Sequence, residues 1–215
     1  GLDALLPWFE LMSRHTPQSS SQAAFQDWMV EMVYFDLYGT TPGGVDNYGG
    51  TMPWSDTPHS HESRTNMAYL ASRLGSTAEQ QLSSGLAQWI TTESDRDYQD
   101  LYFYLWYDPE ISAASPQNLD TWKLFDDIGI FVHRSSWAND ATYVSTKSGV
   151  HFGGHDNPQQ GDLFLMKDGL PYLSPMPYSN WKMTANTNTL LVDGVGQRGE
   201  AQQWPEPVPP EQSGQ

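Results

Sequence analysis

The sequence predicts an α+β chain in two parts, an α-helical segment over residues 1–120 and an antiparallel β-sheet segment over residues 121–215. Three observations carry that expectation. Apolar residues in the first part recur at three- and four-residue intervals, the period of an amphipathic helix. Beyond residue 125 the period falls toward two, as in a half-buried strand. The β-prone runs there follow one another across turn residues, with no helix-length segment between them, which points to antiparallel pairing.

In the first part, Leu2, Leu5, Leu6, Phe9 and Met12 share one helical face, and Phe25, Trp28, Met29 and Met32 share another. The stretch from Gly39 to Pro58 is rich in Gly and Pro and reads as a loop. Met67, Leu70, Ala71 and Leu74 make the next stripe, stopped by Gly75 as a C-cap. Ser76 and Glu79 stand at capping-box spacing before a helix whose buried face is Leu82, Leu86, Trp89 and Ile90. An aromatic segment from Leu101 to Tyr107 ends at Asp108-Pro109. Paired helices with short connections suggest an α/α layer.

In the second part the expected strands are Ile128–Arg134, Ala141–Lys147, Asp162–Lys167 and Leu190–Asp193. Ser148-Gly149, Asp168-Gly169 and Asp193-Gly194 supply turns. Asp126-Asp127 reads as a solvated turn, and Pro205 to Gln215 as a loop or linker. About five strands are too few to close a sandwich. The chain is therefore expected to hold the first part of a β-sandwich, with both ends lacking material.

Composition excludes several classes. At 38% hydrophobic and 13% aromatic residues, nine of them Trp, the chain has ample apolar mass for a core and is not disordered. Twenty-six Asp plus Glu against ten Lys plus Arg leave a charge of −16, the wrong sign for a nucleic-acid partner. No apolar run is long enough to span a membrane. The absence of cysteine removes disulfides, thiolate metal sites and thiol nucleophiles.

Three ordered motifs carry chemistry. The first is His133-Arg134-Ser135-Ser136-Trp137 with Asp140-Ala141-Thr142. The second runs from Gly153-Gly154-His155-Asp156-Asn157-Pro158 to Gly161, followed by Asp168-Gly169 and Tyr178. The third is Lys182-Met183-Thr184-Ala185-Asn186-Thr187-Asn188-Thr189, continuing through Asp193-Gly194 to Gly196-Gln197. In this order and spacing, from about Phe125 to Glu200, they resemble the heparinase II/III-like polysaccharide lyases, relatives of alginate and ulvan lyases. Met52-Pro53-Trp54-Ser55-Asp56 is similar to a loop late in the toroid of that family.

The resemblance implies the C-terminal part of an (α/α) toroid followed by the first part of an antiparallel β-sandwich. It implies a secreted or periplasmic bacterial lyase that cleaves an acidic, uronate-containing polysaccharide by β-elimination. Such a reaction needs a neutralised carboxylate, a base at C5 and an acid for the leaving O4. His155 and Tyr178 match the proton-transfer positions. The family's zinc positions read Asn157, Ser174 and Thr187 here, and none is a good zinc ligand, so no metal or other cofactor is expected. Hydrogen bonds from Asn157, Asn188 and backbone groups would hold the loop instead.

Each candidate has a plainer alternative. His155 is either catalytic or a loop residue that orders backbone. Tyr178 acts on substrate or plugs the sandwich. Arg134 clamps a substrate carboxylate or pairs inward with Asp140 or Asp127. Trp137 stacks on sugar or belongs to the core. Asn157 would contact polar groups of the substrate, and His151 would line the cleft. His59-Ser60-His61-Glu62 is more readily a helix start than a metal site, and Asp56 more readily a turn residue than a cleft residue. Only Arg134, Lys147, Lys167, Lys182 and Arg198 are cationic between Phe125 and Glu200. That scarcity favours a carboxylate-only glycan over a sulfated one. The rivals are a non-catalytic carbohydrate-binding relative with a decayed site, and a glycan hydrolase on the same fold.

Overall fold

A computed structural model of the chain describes residues 6–11, 20–43, 50–54, 64–93, 101–149, 155–175 and 182–200. It is α+β, with helices and a five-stranded antiparallel sheet. Two units form: residues 1–37 with 61–118, and residues 38–60 with 119–215. The segment from residue 38 to 60, which the sequence placed in the helical part, clusters with the sheet.

The helical unit contains residues 6–11, most of α1 (Ser20–Gly39), α2 (Arg64–Arg73), α3 (Ala78–Glu93) and α4 (Leu101–Trp106). Helix α2 packs against α3 and α4. Its stripe of Met67, Leu70, Ala71 and Leu74 is buried as the periodicity requires. Two end signals differ from expectation. Gly75 does not enter the left-handed region, so it is no αL cap. The cap of α3 is shifted by one residue: Thr77 Oγ1 accepts from the Gln80 backbone N–H at 3.2 Å, and Gln80 Oε1 accepts from Ser76 N–H at 3.0 Å. On α3, Leu86, Ala87 and Ile90 are buried, whereas Leu82, expected on the buried face, is exposed.

In the sheet unit the strands are β1 (Trp122–Phe125), β2 (Ile130–Arg134), β3 (Tyr143–Lys147), β4 (Asp162–Lys167) and β5 (Leu170–Leu173), arranged as a meander in sequence order. The Asp168-Gly169 turn joins β4 to β5 with φ values of 52° and 73°, the left-handed pair a two-residue hairpin needs. Strands β1 and β5 were not anticipated. Each has four residues, and β5 carries Pro171, which a sheet edge tolerates. Conversely, Leu190–Asp193 forms no strand; only an isolated bridge pairs Val192 with Val195 around Asp193-Gly194. Its side chains are exposed, so nothing apolar holds a longer ladder there.

Alternation divides the sheet into two faces. On one, Ile130, Val132, Arg134, Tyr143, Ser145, Lys147, Asp162, Phe164 and Met166 are buried. On the other, Phe131, Val144, Thr146, Leu163 and Leu165 are half-buried, with Trp122 and Leu124 exposed. Tyr38 and Thr40 meet the buried side of the sheet. Tyr143 OH donates to Tyr38 O at 2.9 Å, and Tyr38 OH donates to Asp120 O at 2.7 Å. The buried side is unusually polar for a core, and that polarity defines the site.

Candidate functional site

Register separates the buried polar groups into two clusters at opposite ends of β3. Arg134 pairs with Tyr143, the first residue of β3, and Lys147, the last, pairs with Asp162. At about 3.3 Å per residue the two ends lie about 13 Å apart.

At the first end, the Arg134 guanidinium lies 4.3 Å from the Trp137 ring centroid and 5.7 Å from that of Tyr143. Its Nη2 donates to Thr40 O at 3.2 Å. Trp137 donates its indole N–H to Leu119 O at 3.4 Å and meets the Tyr38 ring edge-on. Burial pulls the Arg134 pKa down, partly countered by Tyr143 and Tyr38, and pushes that of Tyr143 up. Arg134 is 5% exposed and pairs with neither Asp140 nor Asp127. Its neighbours are π faces and a backbone carbonyl, so neither a carboxylate clamp nor an inward ion pair describes it. Trp137 is half-buried, with Arg134 over its ring.

At the second end, the loop between β3 and β4 carries His155, which is exposed, and then turns inward. Lys147 Nζ donates to Asp156 Oδ1 in a buried ion pair. Lys182 Nζ donates to Asp156 O at 3.1 Å, and the same Oδ1 accepts from Asn157 N–H at 3.0 Å. Lys147, Asp156 and Lys182 are 2%, 3% and 1% exposed. Burial drives the Lys147 pKa down and Asp156 draws it back up. Asn157 is fully buried inside the loop.

The segment after Lys182 has little regular structure and is fastened to this loop by side chains. Gln197 imitates a strand partner: its Oε1 accepts from Gln160 N–H at 2.8 Å, and its Nε2 donates to Gln160 O at 2.8 Å. Thr189 Oγ1 donates to the same carbonyl at 2.8 Å. Asp162 Oδ1 accepts from the Leu163 and Asn188 backbone N–H groups at 2.8 and 2.9 Å. Asn188 Nδ2 donates to Leu163 O and Ser174 O. Asn188 is thus tied to β4 and to Ser174, not to the His155 loop it was expected to hold.

Burial raises the Asp162 pKa, an effect its two N–H partners only partly offset. A raised carboxyl stabilises the fold most below its unfolded pKa, and that contribution is lost as pH rises through the folded one. Asp162→Asn should therefore raise the midpoint of thermal unfolding at neutral pH. The gain should vanish below the ordinary value of 3.8, where both side chains are neutral. Melting curves across that range check it.

Asn157, Ser174 and Thr187 are poor zinc donors. Ser174 Oγ donates to Pro175 O at 3.2 Å, Thr187 Oγ1 donates to Thr184 O at 2.7 Å, and Asn157 offers a neutral amide. Among the described residues no three of His, Asp and Glu group as ligands. His151, Tyr178, His59, His61 and Asp56 lie outside the described residues. Of the other sequence-derived candidates, His155 reaches the surface, Trp137 does so in part, and Arg134 and Asn157 do not. Sequence reasoning missed Lys147 and Lys182. One signal was available: Lys147 continues the inward alternation of Tyr143 and Ser145.

Comparison with known proteins bears on the fold. No family model matches the chain, and no curated protein matches it. Solved structures do. A heparinase III structure with methylated lysines aligns at a TM-score of 0.51 and 16% identity, covering 80% of this chain and 24% of that one. A second heparinase III structure gives 0.48 at 20% identity, over 80% and 24% of the two chains. The heparan sulfate lyase HepC from Pedobacter heparinus gives 0.47 at 16%, over 75% and 23%. The chain thus spans about a quarter of the length of these structures, and its fold is similar to part of heparinase III.

Proposed function

We propose that the chain is part of a polysaccharide lyase that cleaves an acidic, uronate-containing glycan by β-elimination, in a secreted or periplasmic setting. The observation that carries this reading is His155, exposed on a loop whose base is buried and cross-braced, within a fold similar to part of heparinase III. His155 would accept or return the C5 proton, or donate to the leaving oxygen, with Tyr178 sharing the exchange. Trp137 would offer a sugar only what Arg134 leaves open of its ring, and His151 would line the cleft. No step is assigned to a metal.

A second reading has its own support. Of the five cations between Phe125 and Glu200, Arg134, Lys147 and Lys182 are buried. The other two, Lys167 and Arg198, are exposed. That distribution suits a glycan of low charge density, or a carbohydrate-binding relative that no longer cleaves.

Full-length protein incubated with alginate, ulvan, glucuronan and glycosaminoglycans distinguishes the readings. The lyase generates an unsaturated uronate, seen as rising ultraviolet absorbance that survives chelation. His155→Ala should lower that rate at least about a hundredfold. A new reducing end without absorbance would mean a hydrolase, and binding without either product would mean the non-catalytic relative.

A further inference from the structure

Resting on the proposed role of His155, we infer that Asp156 is the positioning residue of this site. Lys147 and Lys182 anchor it, and it fixes the backbone from which His155 projects. Residue 156 is held in two directions. Its carboxylate receives the Lys147 ammonium and the Asn157 N–H, while its carbonyl receives the Lys182 ammonium. Side chain and main chain are thus tied at once, one residue from an exposed imidazole.

Energetics point the same way. Moving ammonium and carboxylate groups out of water is unfavourable, and apolar side chains of similar volume usually stabilise a core as well or better. What a buried charged pair supplies in addition is a defined geometry, because its hydrogen bonds are short and directional. The same strand end gives a further tie, since Gly161 N–H donates to Lys147 O at 2.7 Å. Lys147 therefore grips the loop at Asp156 through its side chain and at the returning end through its carbonyl. Gln160, between these points, is clamped by Gln197. A proton-transfer group displaced by about 1 Å loses about a hundredfold in rate, so the base of such a loop has to be rigid.

The test uses the full chain with 13C-labelled histidine, His155 being assigned by its loss in His155→Ala. In Asp156→Asn the His155 ring signal should shift and broaden relative to the wild type, because its backbone is no longer fixed. Amide exchange at Asn157 and Gly161 should rise about tenfold or more, while Val132 and Ser145 keep theirs. On a cleaved glycan kcat should fall about a hundredfold with KM little changed. Should Asp156→Asn fail to fold, Lys147→Met/Asp156→Asn removes both charges of the pair. It should melt near the wild type yet keep the displaced His155 signal. An unmoved His155 signal in a folded Asp156→Asn variant overturns the inference. So does its return in the double variant, because Asp156 would then act on stability alone. Wild-type protein inactive on every glycan would sink the lyase reading and leave the spectra to decide the positioning role.

Discussion

Gly129→Ala is expected to abolish folding or to cost at least about 3 kcal/mol. Gly129 sits at φ +65° just before β2, where Ser148 N–H donates to its carbonyl at 2.7 Å. A Cβ there would fall 2.6 Å from Ser148 C and closer still to the Ser148 oxygen and Gly149 Cα. These are backbone atoms of the residues just after β3, so no side-chain rotation relieves the clash. The left-handed conformation adds about 1 kcal/mol for a residue with a Cβ. Gly194→Ala is the matched control. It has φ +77° but nothing within 4 Å of the added atom, so it should cost only about 1 kcal/mol. Urea unfolding of both variants measures the difference, and equal losses would mean that the β2–β3 junction moves apart easily.

Lys147→Met should destabilise the sheet unit by about 3–5 kcal/mol, because it leaves the Asp156 carboxylate buried without its ammonium. Methionine preserves most of the volume, so the loss is chiefly electrostatic. The wild-type lysine has an opposing signature. Its pKa is depressed by burial, so the folded chain holds fewer protons than the unfolded one between the depressed value and 10.5. Stability attributable to Lys147 should therefore rise with pH through that window, and the Met variant should lack the slope. Denaturant midpoints measured toward alkaline pH test this directly. A small, pH-independent loss would show that Lys182 alone suffices for Asp156.

The stripe of α2, the segment of α4, strand Asp162–Lys167 and the Asp168-Gly169 hairpin follow from local rules: helical or two-residue period, turn chemistry and short spacing. Errors fell where local signals were weak or duplicated. Thr77 and Ser76 compete for one cap, and Leu190–Val192 has strand composition without a surface to bury it. His155 itself is exposed, but no local signal told that Asp156 to Gln160 directly after it are buried.

By itself the sequence determined the α+β class, the order of helical and sheet parts, and the absence of cysteine chemistry, because each depends on composition or on neighbours a few residues away. Tertiary structure alone decided which polar side chains face inward. Arg134 and Asn157, chosen as substrate contacts, are buried, whereas Lys147 and Lys182, unremarked, enclose Asp156. The physical reason is range. Lys182 meets Asp156 across 26 residues and Gln197 meets Gln160 across 37, and no periodicity encodes where a loop of that length returns. Only the folded path brings those groups together and removes the water that would otherwise have solvated them.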